Sequence, residues 1–393
     1  MRRIAIINQR YGKEVNGGSE AYTLQLAEHL QGVYQVEVLT TCALDYSTWA
    51  NEYAEGEEEQ EGIKVRRFPV KCKRQKLLFK LTGKLITRLG MNYRWLNRIW
   101  IQAQGPYVPE LLTFLADHQD DYDAFIFVTY LYYPAVFGLE LVGKKSVFVP
   151  TAHEESYIHF KLMEDVFSYP AAYVFLTEEE KELVSSLFCV DSLPHRVTAM
   201  GITPKISGAS GNFREKFGIS TSYFIYAGRI DVDKGCGELI QYFQQYCQQL
   251  PKEQQCTLVL IGKSQMELPQ GDWIRYLGFL SEEDKNDGIA QARALFLPSR
   301  HESLSISALE AMYLGTPVIV NGDSPVLQGH CRRSGGGLSY RDYPSFHQAM
   351  EQMEEDAVYE KMQKAGIRYV EENYRWDVVV NQWKELIEEV MDK

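Results

Sequence analysis

Glu302 and Glu310 stand eight positions apart around the start of an apolar helical pattern, in the run Pro298-Ser299-Arg300-His301-Glu302-Ser303-Leu304-Ser305 that continues to Gly315. The pattern predicts a strand, a polar loop, a helix beginning near Ser305 and ended by Gly315, and a further strand. Ser303 or Ser305 is placed to cap that helix, whose first backbone N–H groups face the loop. The positive end of a helix is an anion site suited to a diphosphate. Glu302 in the loop and Glu310 on the second turn would address a ligand lying across the helix start, where carboxylates accept hydrogen bonds from ribose and sugar hydroxyls. Without a ligand, the same two residues are a loop charge and a solvated helix carboxylate.

Three further groups lie at expected strand exits. In Tyr226-Ala227-Gly228-Arg229-Ile230-Asp231-Val232-Asp233-Lys234-Gly235, Gly228 permits a tight exit, and Arg229 and Lys234 bring two cations that would neutralise a leaving diphosphate without a metal. The segment equally fits a surface turn with two basic residues. Asn16-Gly17-Gly18-Ser19-Glu20 falls between the first strand and first helix, where paired glycines let backbone approach a ligand or simply make a turn. In Val149-Pro150-Thr151-Ala152-His153-Glu154-Glu155, His153 would hydrogen-bond a sugar hydroxyl or transfer a proton, or is one of eight histidines with structural roles.

Elements must hold these groups. Short apolar runs alternate with helical patterns through most of the 393 residues, the signature of βαβ units and parallel sheets covered on both faces. Strands are expected at Arg3 to Asn8, Gln35 to Leu39, Lys64 to Phe68, Ala124 to Val128, Ser146 to Thr151 and Ala172 to Leu176, with the first helix from Gly18 to Leu30. A second set is expected at Tyr223 to Ala227, Thr257 to Ile261, Ile274 to Leu277, Ala294 to Leu297 and Pro317 to Val320. Residues 201–212, with Pro204 and several Gly and Ser, read as a linker. The expected fold class is α/β, two doubly wound Rossmann-like domains (1–200 and 213–374) facing across a cleft, with a ligand at the carboxyl ends of the strands.

Composition narrows the function classes. Apolar residues at 45% and charged residues at 24% exclude wholesale disorder. Fifty-three acidic against 41 basic residues, a net charge of −12, exclude a general nucleic-acid binder. Seven cysteines without a CxxC pair form no disulfide framework or zinc-ribbon spacing and fit a reducing cytosol. The apolar run Ile4 to Ile7 ends too early for a signal peptide, and the uncharged stretch Ala124 to Leu139 is shorter than the ~20 residues of a membrane span and contains Pro134. The short acidic patch Glu55 to Glu61 is the one compositionally biased tract. No G-x-G-x-x-G follows the first strand, which disfavours a Rossmann dehydrogenase.

In order and spacing the four groups resemble the GT-B fold glycosyltransferases of family 4, retaining nucleotide-sugar transferases. The resemblance rests on the glycine-rich first loop (Gly17, Gly18), Thr151-Ala152-His153, GRxxxxKG (Gly228, Arg229, Lys234, Gly235) and E-x7-E (Glu302, Glu310), and covers essentially the whole chain. It implies that Arg229 and Lys234 bind the donor diphosphate together with the backbone N–H groups of Leu304 and Ser305. Glu310 would hold the ribose hydroxyls. Glu302 would contact the donor sugar near its 3- and 4-hydroxyls and, with His153, shape the transition state. Gly17 and Gly18 would also border the donor, and Gly262, Phe279 and Leu280 the nucleobase.

The implied reaction moves a hexose from a UDP-sugar, or a GDP-sugar, to a hydroxyl of a glycan or lipid-linked acceptor in cell-surface polysaccharide or glycolipid synthesis. The leaving phosphate would help deprotonate the acceptor, with no metal or other cofactor. The last helix, Trp376 to Val390 within residues 375–393, would cross back to the N-terminal domain. Two departures stand out: Ser305 where many relatives have glycine, and Met200-Gly201-Ile202-Thr203 in place of a commoner Asn-Gly-Val-Asp. The alternatives are a nucleotide-sugar 2-epimerase, which lacks the E-x7-E and GRxxxxKG pairing, and a non-catalytic sugar-nucleotide-binding partner of a transferase.

One charge asymmetry is left over. No acidic residue occurs between Glu61 and Glu110, while Lys64 to Arg98 carries twelve Lys or Arg among Phe68, Leu77, Leu78, Phe79, Leu81, Leu85, Ile86, Leu89, Trp95 and Leu96. Such a stretch suits the surface of an anionic bilayer, or merely balances the acidic remainder. The corresponding expectation is a cytoplasmic protein, peripheral on the inner face of the membrane.

Overall fold

The computed structural model describes residues 2–15, 17–206 and 213–392. It divides into two units, Met1–Met200 with Val379–Lys393, and Gly201–Val378. In the first, eight strands form one sheet: β1 (Arg3–Ile7), β2 (Gln35–Thr41), β3 (Gly56–Gln60), β4 (Ile63–Phe68), β5 (Ala124–Val128), β6 (Ser146–Val149), β7 (Ala172–Phe175) and β8 (His195–Val197). Their order is β3-β4-β2-β1-β5-β6-β7-β8, parallel throughout except for β3 against β4. Runs such as Ala-Phe-Ile-Phe-Val in β5 are buried at every position, because helices cover both faces of a parallel sheet. Helix Gly18–Leu30 follows β1.

The second unit carries six parallel strands, β9 (Tyr223–Ala227), β10 (Thr257–Ile261), β11 (Ile274–Gly278), β12 (Leu295–Leu297), β13 (Val318–Asn321) and β14 (Gly337–Tyr340), in the order β11-β10-β9-β12-β13-β14. Strand order reverses between β9 and β12 here, and between β1 and β5 in the first unit. Ligands of open α/β sheets bind at the carboxyl ends of the strands at such reversals. The helix Trp376–Met391 starts in the second unit and belongs to the first from Val379 onward, with Val379, Trp383, Leu386, Ile387 and Val390 buried.

The structure corrects several expectations. The acidic patch is not a featureless tract: residues 56–60 form the edge strand β3, antiparallel to β4, with Glu57 opposite Arg66. Glu57 pairs with Lys64 at 2.7 Å, and Glu58 with Arg67 at 2.6 Å, so cross-strand charge pairs stabilise a strand that composition disfavours. The short strands β8 and β14 add to the expected set, each at an edge of its sheet. β6 stops before Thr151, which adopts φ 54 and cannot continue a strand. Within the expected linker, residues 201 and 202 pack against the segment that leads into the last helix. Ile202 donates its N–H to the Tyr374 carbonyl at 2.7 Å, and a Cβ on Gly201 would come within 2.3 Å of the Trp376 ring. Residues 207–212 of that linker lie outside the described residues.

Candidate functional site

In the second unit the loop after β9 holds Gly228 to Gly235 and the loop after β12 holds Pro298 to Ser305, on the two sides of the strand-order reversal. Backbone closeness here demands glycine. Gly262, after β10, has φ 130, and a Cβ on it would come 2.0 Å from the Gly228 carbonyl oxygen. Gly235 has φ 76 and would place a Cβ 2.4 Å from the Pro298 carbonyl oxygen. These contacts join the loops after β9, β10 and β12.

Within them Lys234 Nζ lies 2.8 Å from Glu302 Oε1. The Lys234 backbone N–H donates to Asp231 Oδ1 at 2.7 Å, and Asp231 also pairs with Arg229. Glu310, on helix Ile306–Tyr313, accepts from Lys285 of helix Glu282–Ala290 at 3.1 Å. Each carboxylate of the E-x7-E pair therefore has its own lysine. Arg229 is half exposed and Lys234 about one-third exposed, so both cations face solvent at the mouth of the sheet. A pocket of about 490 Å³ lies beside them, lined among others by Asp233, Glu238, Arg300 and Asn321. A second one, of about 360 Å³ around Gln328 and Gln348, touches none of the expected site residues.

Neither serine caps helix Ile306–Tyr313 through its side chain. Ser305 is the N-cap residue but sits at φ 62, ψ 72 with no side-chain cap bond. The loop is fixed instead from below by the buried His330, which donates from Nε2 to the Leu304 carbonyl at 2.8 Å. A non-glycine residue in the left-handed region costs about 1–2 kcal/mol. Ser305→Gly is accordingly expected to raise unfolding free energy by up to about 1 kcal/mol in chemical denaturation, and a loss of stability would show that the serine hydroxyl is engaged. Leu304 is buried, Phe279 is 87% exposed and Leu280 half-buried. Phe279 and Leu280 follow β11, whose last residue, Gly278, accepts from the Gly262 N–H at 2.8 Å.

The structure thus brings Arg229, Lys234, Gly262, Glu302, Leu304 and Ser305 to neighbouring loops of one sheet, with Glu310 on the helix that follows one of them and Phe279 and Leu280 after β11. Gly17, Gly18 and His153 belong to the other unit. There, the space that Gly17 leaves is filled from inside the chain. A Cβ on it would come 2.0 Å from Glu20 Oε2, and Glu20 is held in a buried pair with Arg10 at 2.6 Å. Gly18 opens onto free space, with nothing within 4 Å of where a Cβ would stand. His153 is 42% exposed, its Nε2 3.8 Å from Glu155 Oε1, and Glu155 also accepts from the Tyr130 hydroxyl.

Strain and a buried carboxyl set the His153 loop. Thr129 after β5 and Thr151 after β6 have φ 74 and 54, and their hydroxyls meet at 3.3 Å. Two β-branched residues in the left-handed region mark a backbone held by its surroundings. One restraint is Glu180, whose Oε1 accepts the Ala152 N–H at 2.6 Å and whose Oε2 accepts the Leu176 N–H at 2.6 Å. Burial pushes the Glu180 carboxyl up to about 8, against the pull of the Leu176, Ala152 and Thr151 N–H groups. Glu180, Lys285, His330 and the Arg10–Glu20 pair had no sequence signal of their own. Glu180 in particular hides in the run Glu178-Glu179-Glu180, which reads as the acidic first turn of a helix.

Comparison with known proteins locates this architecture. Over 109 residues, 25% of the chain and 28% of the relative, the sequence is 33% identical to the O-antigen chain mannosyltransferase B of Escherichia coli. Over 121 residues, 27% of each chain, it is 28% identical to the mannosylfructose-phosphate synthase of Agrobacterium fabrum. The aligned part spans little more than a quarter of these curated relatives. Among solved structures, the sucrose-phosphate synthase of Thermosynechococcus elongatus superposes with a TM-score of 0.71 over the full length of both chains at 16% identity. The fold is GT-B, and residues 211–369, most of the second unit, match the family model described as glycosyl transferases group 1.

Proposed function

We propose that the protein is a retaining, metal-independent hexosyltransferase acting on a nucleoside-diphosphate sugar. The observation that carries this reading is the meeting of two cations, Arg229 and Lys234, with Glu302, Glu310 and the start of helix Ile306–Tyr313 at the strand-order reversal of the second sheet. In this reading Arg229, Lys234 and the backbone of Leu304 and Ser305 hold the diphosphate, and Glu310 accepts from the ribose. Glu302 accepts from the hexose hydroxyls. Gly262, Phe279 and Leu280 border the base. Gly17, Gly18 and His153 complete the donor and acceptor surroundings.

In the transfer, the bond from the anomeric carbon to the phosphate oxygen breaks and a bond to the acceptor oxygen forms on the same face. The acceptor proton passes to the departing phosphate, and Arg229 and Lys234 stabilise the charge that develops there. The names of the curated relatives, a mannosyltransferase and a synthase of a mannosylfructose phosphate, support glycosyl transfer to a hydroxyl. A glycan or lipid-linked acceptor of cell-surface polysaccharide or glycolipid synthesis belongs to the same reading. So does contact of residues 64–98 with an anionic membrane on its cytoplasmic side.

A panel of UDP- and GDP-hexoses in a thermal-shift assay tests the donor site, since a ligand that binds only the folded state raises Tm. One donor, with uridine first, should raise Tm in the wild type and fail to do so in Arg229→Ala. No shift with any donor in a folded, monodisperse protein would overturn the reading of a UDP- or GDP-hexose site, in favour of a partner that does not bind these donors or of an unusual donor.

A further inference from the structure

The fold sorts the twelve cations of residues 64–98 into two groups. Lys64 and Arg66 pair with Glu37 and Glu57, Arg67 with Glu58, Lys71 with Glu110, Arg94 with Glu164 and Asp165, and Arg98 with Glu140. Arg74 donates to the Gln104 carbonyl and lies over the Phe79 ring. The other five, Lys73, Lys76, Lys80, Lys84 and Arg88, have no carboxylate partner among the described residues. All but Lys73 lie on helix Lys76–Leu89. Lys76, Lys80, Lys84 and Arg88 recur every fourth residue and so form one stripe along it.

Apolar side chains stand in the same outward surface. Leu77 is 87% exposed, Leu81 57% and Leu89 69%. The inward face accounts for the attachment of the helix without them: Thr82 and Ile86 are buried, and Phe79 packs on Trp100 with ring centroids 5.0 Å apart. Gly83 approaches Trp100 so closely that a Cβ would meet the indole Nε1 at 3.2 Å. After the helix ends at Gly90, Tyr93 and Trp95 are both more than half exposed and stack at 6.3 Å. No helix among the described residues is long and apolar enough to cross a membrane.

We propose that the outward face of helix Lys76–Leu89 docks this protein on an anionic lipid bilayer. Lys73, Lys76, Lys80, Lys84 and Arg88 lie over the headgroups, Leu77, Leu81 and Leu89 enter the boundary with the acyl chains, and Tyr93 and Trp95 sit at the headgroup level. The occupant follows from complementarity. A chain of net charge −12 is repelled by an anionic surface as a whole, so attraction requires a local patch free of carboxylates, and exposed leucines among the cations fit acyl chains rather than a purely polar polyanion. The proposal deepens the membrane contact read from residues 64–98, narrowing it from twelve cations to five, and its test does not depend on the donor site.

Full-length protein is sedimented with vesicles of phosphatidylcholine alone and of phosphatidylcholine with an equal amount of phosphatidylglycerol. Binding is expected only with phosphatidylglycerol, and K80E with K84E should lower the bound-to-free ratio by about tenfold or more. Leu77→Ser with Leu81→Ser should also lower it, while Arg98→Gln, at a cation already paired, should leave it unchanged. The donor thermal shift, run on the same variants, should be intact and reports separately on the transferase reading. Equal binding to both vesicle types, or retention in both double variants, overturns the proposal. Loss with the lysine variant but not the leucine variant also overturns it, because a general polyanion site would then remain. Equal loss in Arg98→Gln would return the contact to the segment as a whole.

Discussion

Lys234→Ala is expected to lower kcat/KM for the sugar donor by about 10²- to 10³-fold, measured as release of nucleoside diphosphate, while Tm changes little. The side chain stands at one point with two consequences. In the proposed reading its ammonium stabilises the charge of the leaving diphosphate, and it holds Glu302 at 2.8 Å, so its removal takes away a cation and frees the carboxylate set beside it. The stability cost is small because both partners are partly exposed, and an exposed ion pair contributes no more than about 1 kcal/mol. Glu302→Gln should also reduce kcat/KM, and the double variant should lose less than the two single effects combined, since contacting groups are not additive. A Lys234→Ala enzyme with unchanged kcat/KM would remove the diphosphate from this loop and with it the assignment of Arg229 and Glu302.

How far the sequence foretells this arrangement depends on whether the deciding contact is local. The central strands are legible because apolar runs such as Phe224 to Tyr226 are buried on both faces, a property carried by each run alone. The βα loops are legible in the same way, from glycines and charges directly after those runs. β3 escapes because Glu57, Glu58 and Glu59 become strand residues only when Lys64, Arg66 and Arg67 stand opposite them. Ser305 reads as a side-chain cap, yet its backbone is set by the loop that His330 holds from another helix. Gly262 reads from the sequence as a strand exit that would border the nucleobase, while the backbone demand for glycine there comes from the Gly228 carbonyl in the loop after the adjacent strand. Tertiary partners decided each of these, and residue type and local spacing carry no trace of them.

Glu180 gives the folded state a pH dependence of its own between acid and mildly alkaline pH. Its carboxyl, near 4.5 in the unfolded chain and pushed up to about 8 in the fold by burial, binds its proton more tightly when folded. The folded state therefore holds more protons than the unfolded state between those values. The stability due to this group is fully present below about pH 4.5, falls by about 1.4 kcal/mol per pH unit as pH rises, and is gone once pH has passed about 8. The neighbouring Tyr22 hydroxyl is itself pushed up by burial and stays neutral across this window. Glu180→Gln abolishes the titration, but its amide offers one oxygen where two now accept the Ala152 and Leu176 N–H groups. The variant should lose about 1–3 kcal/mol near pH 5, and the gap to wild type should narrow or reverse toward pH 8.5 in urea denaturation. Parallel stability profiles for the two proteins would show that Glu180 does not titrate in this window. Because the Ala152 N–H is one of the two groups it holds, the same variant should also loosen the strained Thr151-Ala152-His153 turn. That loosening would be read as a change in the pH profile of kcat with KM for the donor retained.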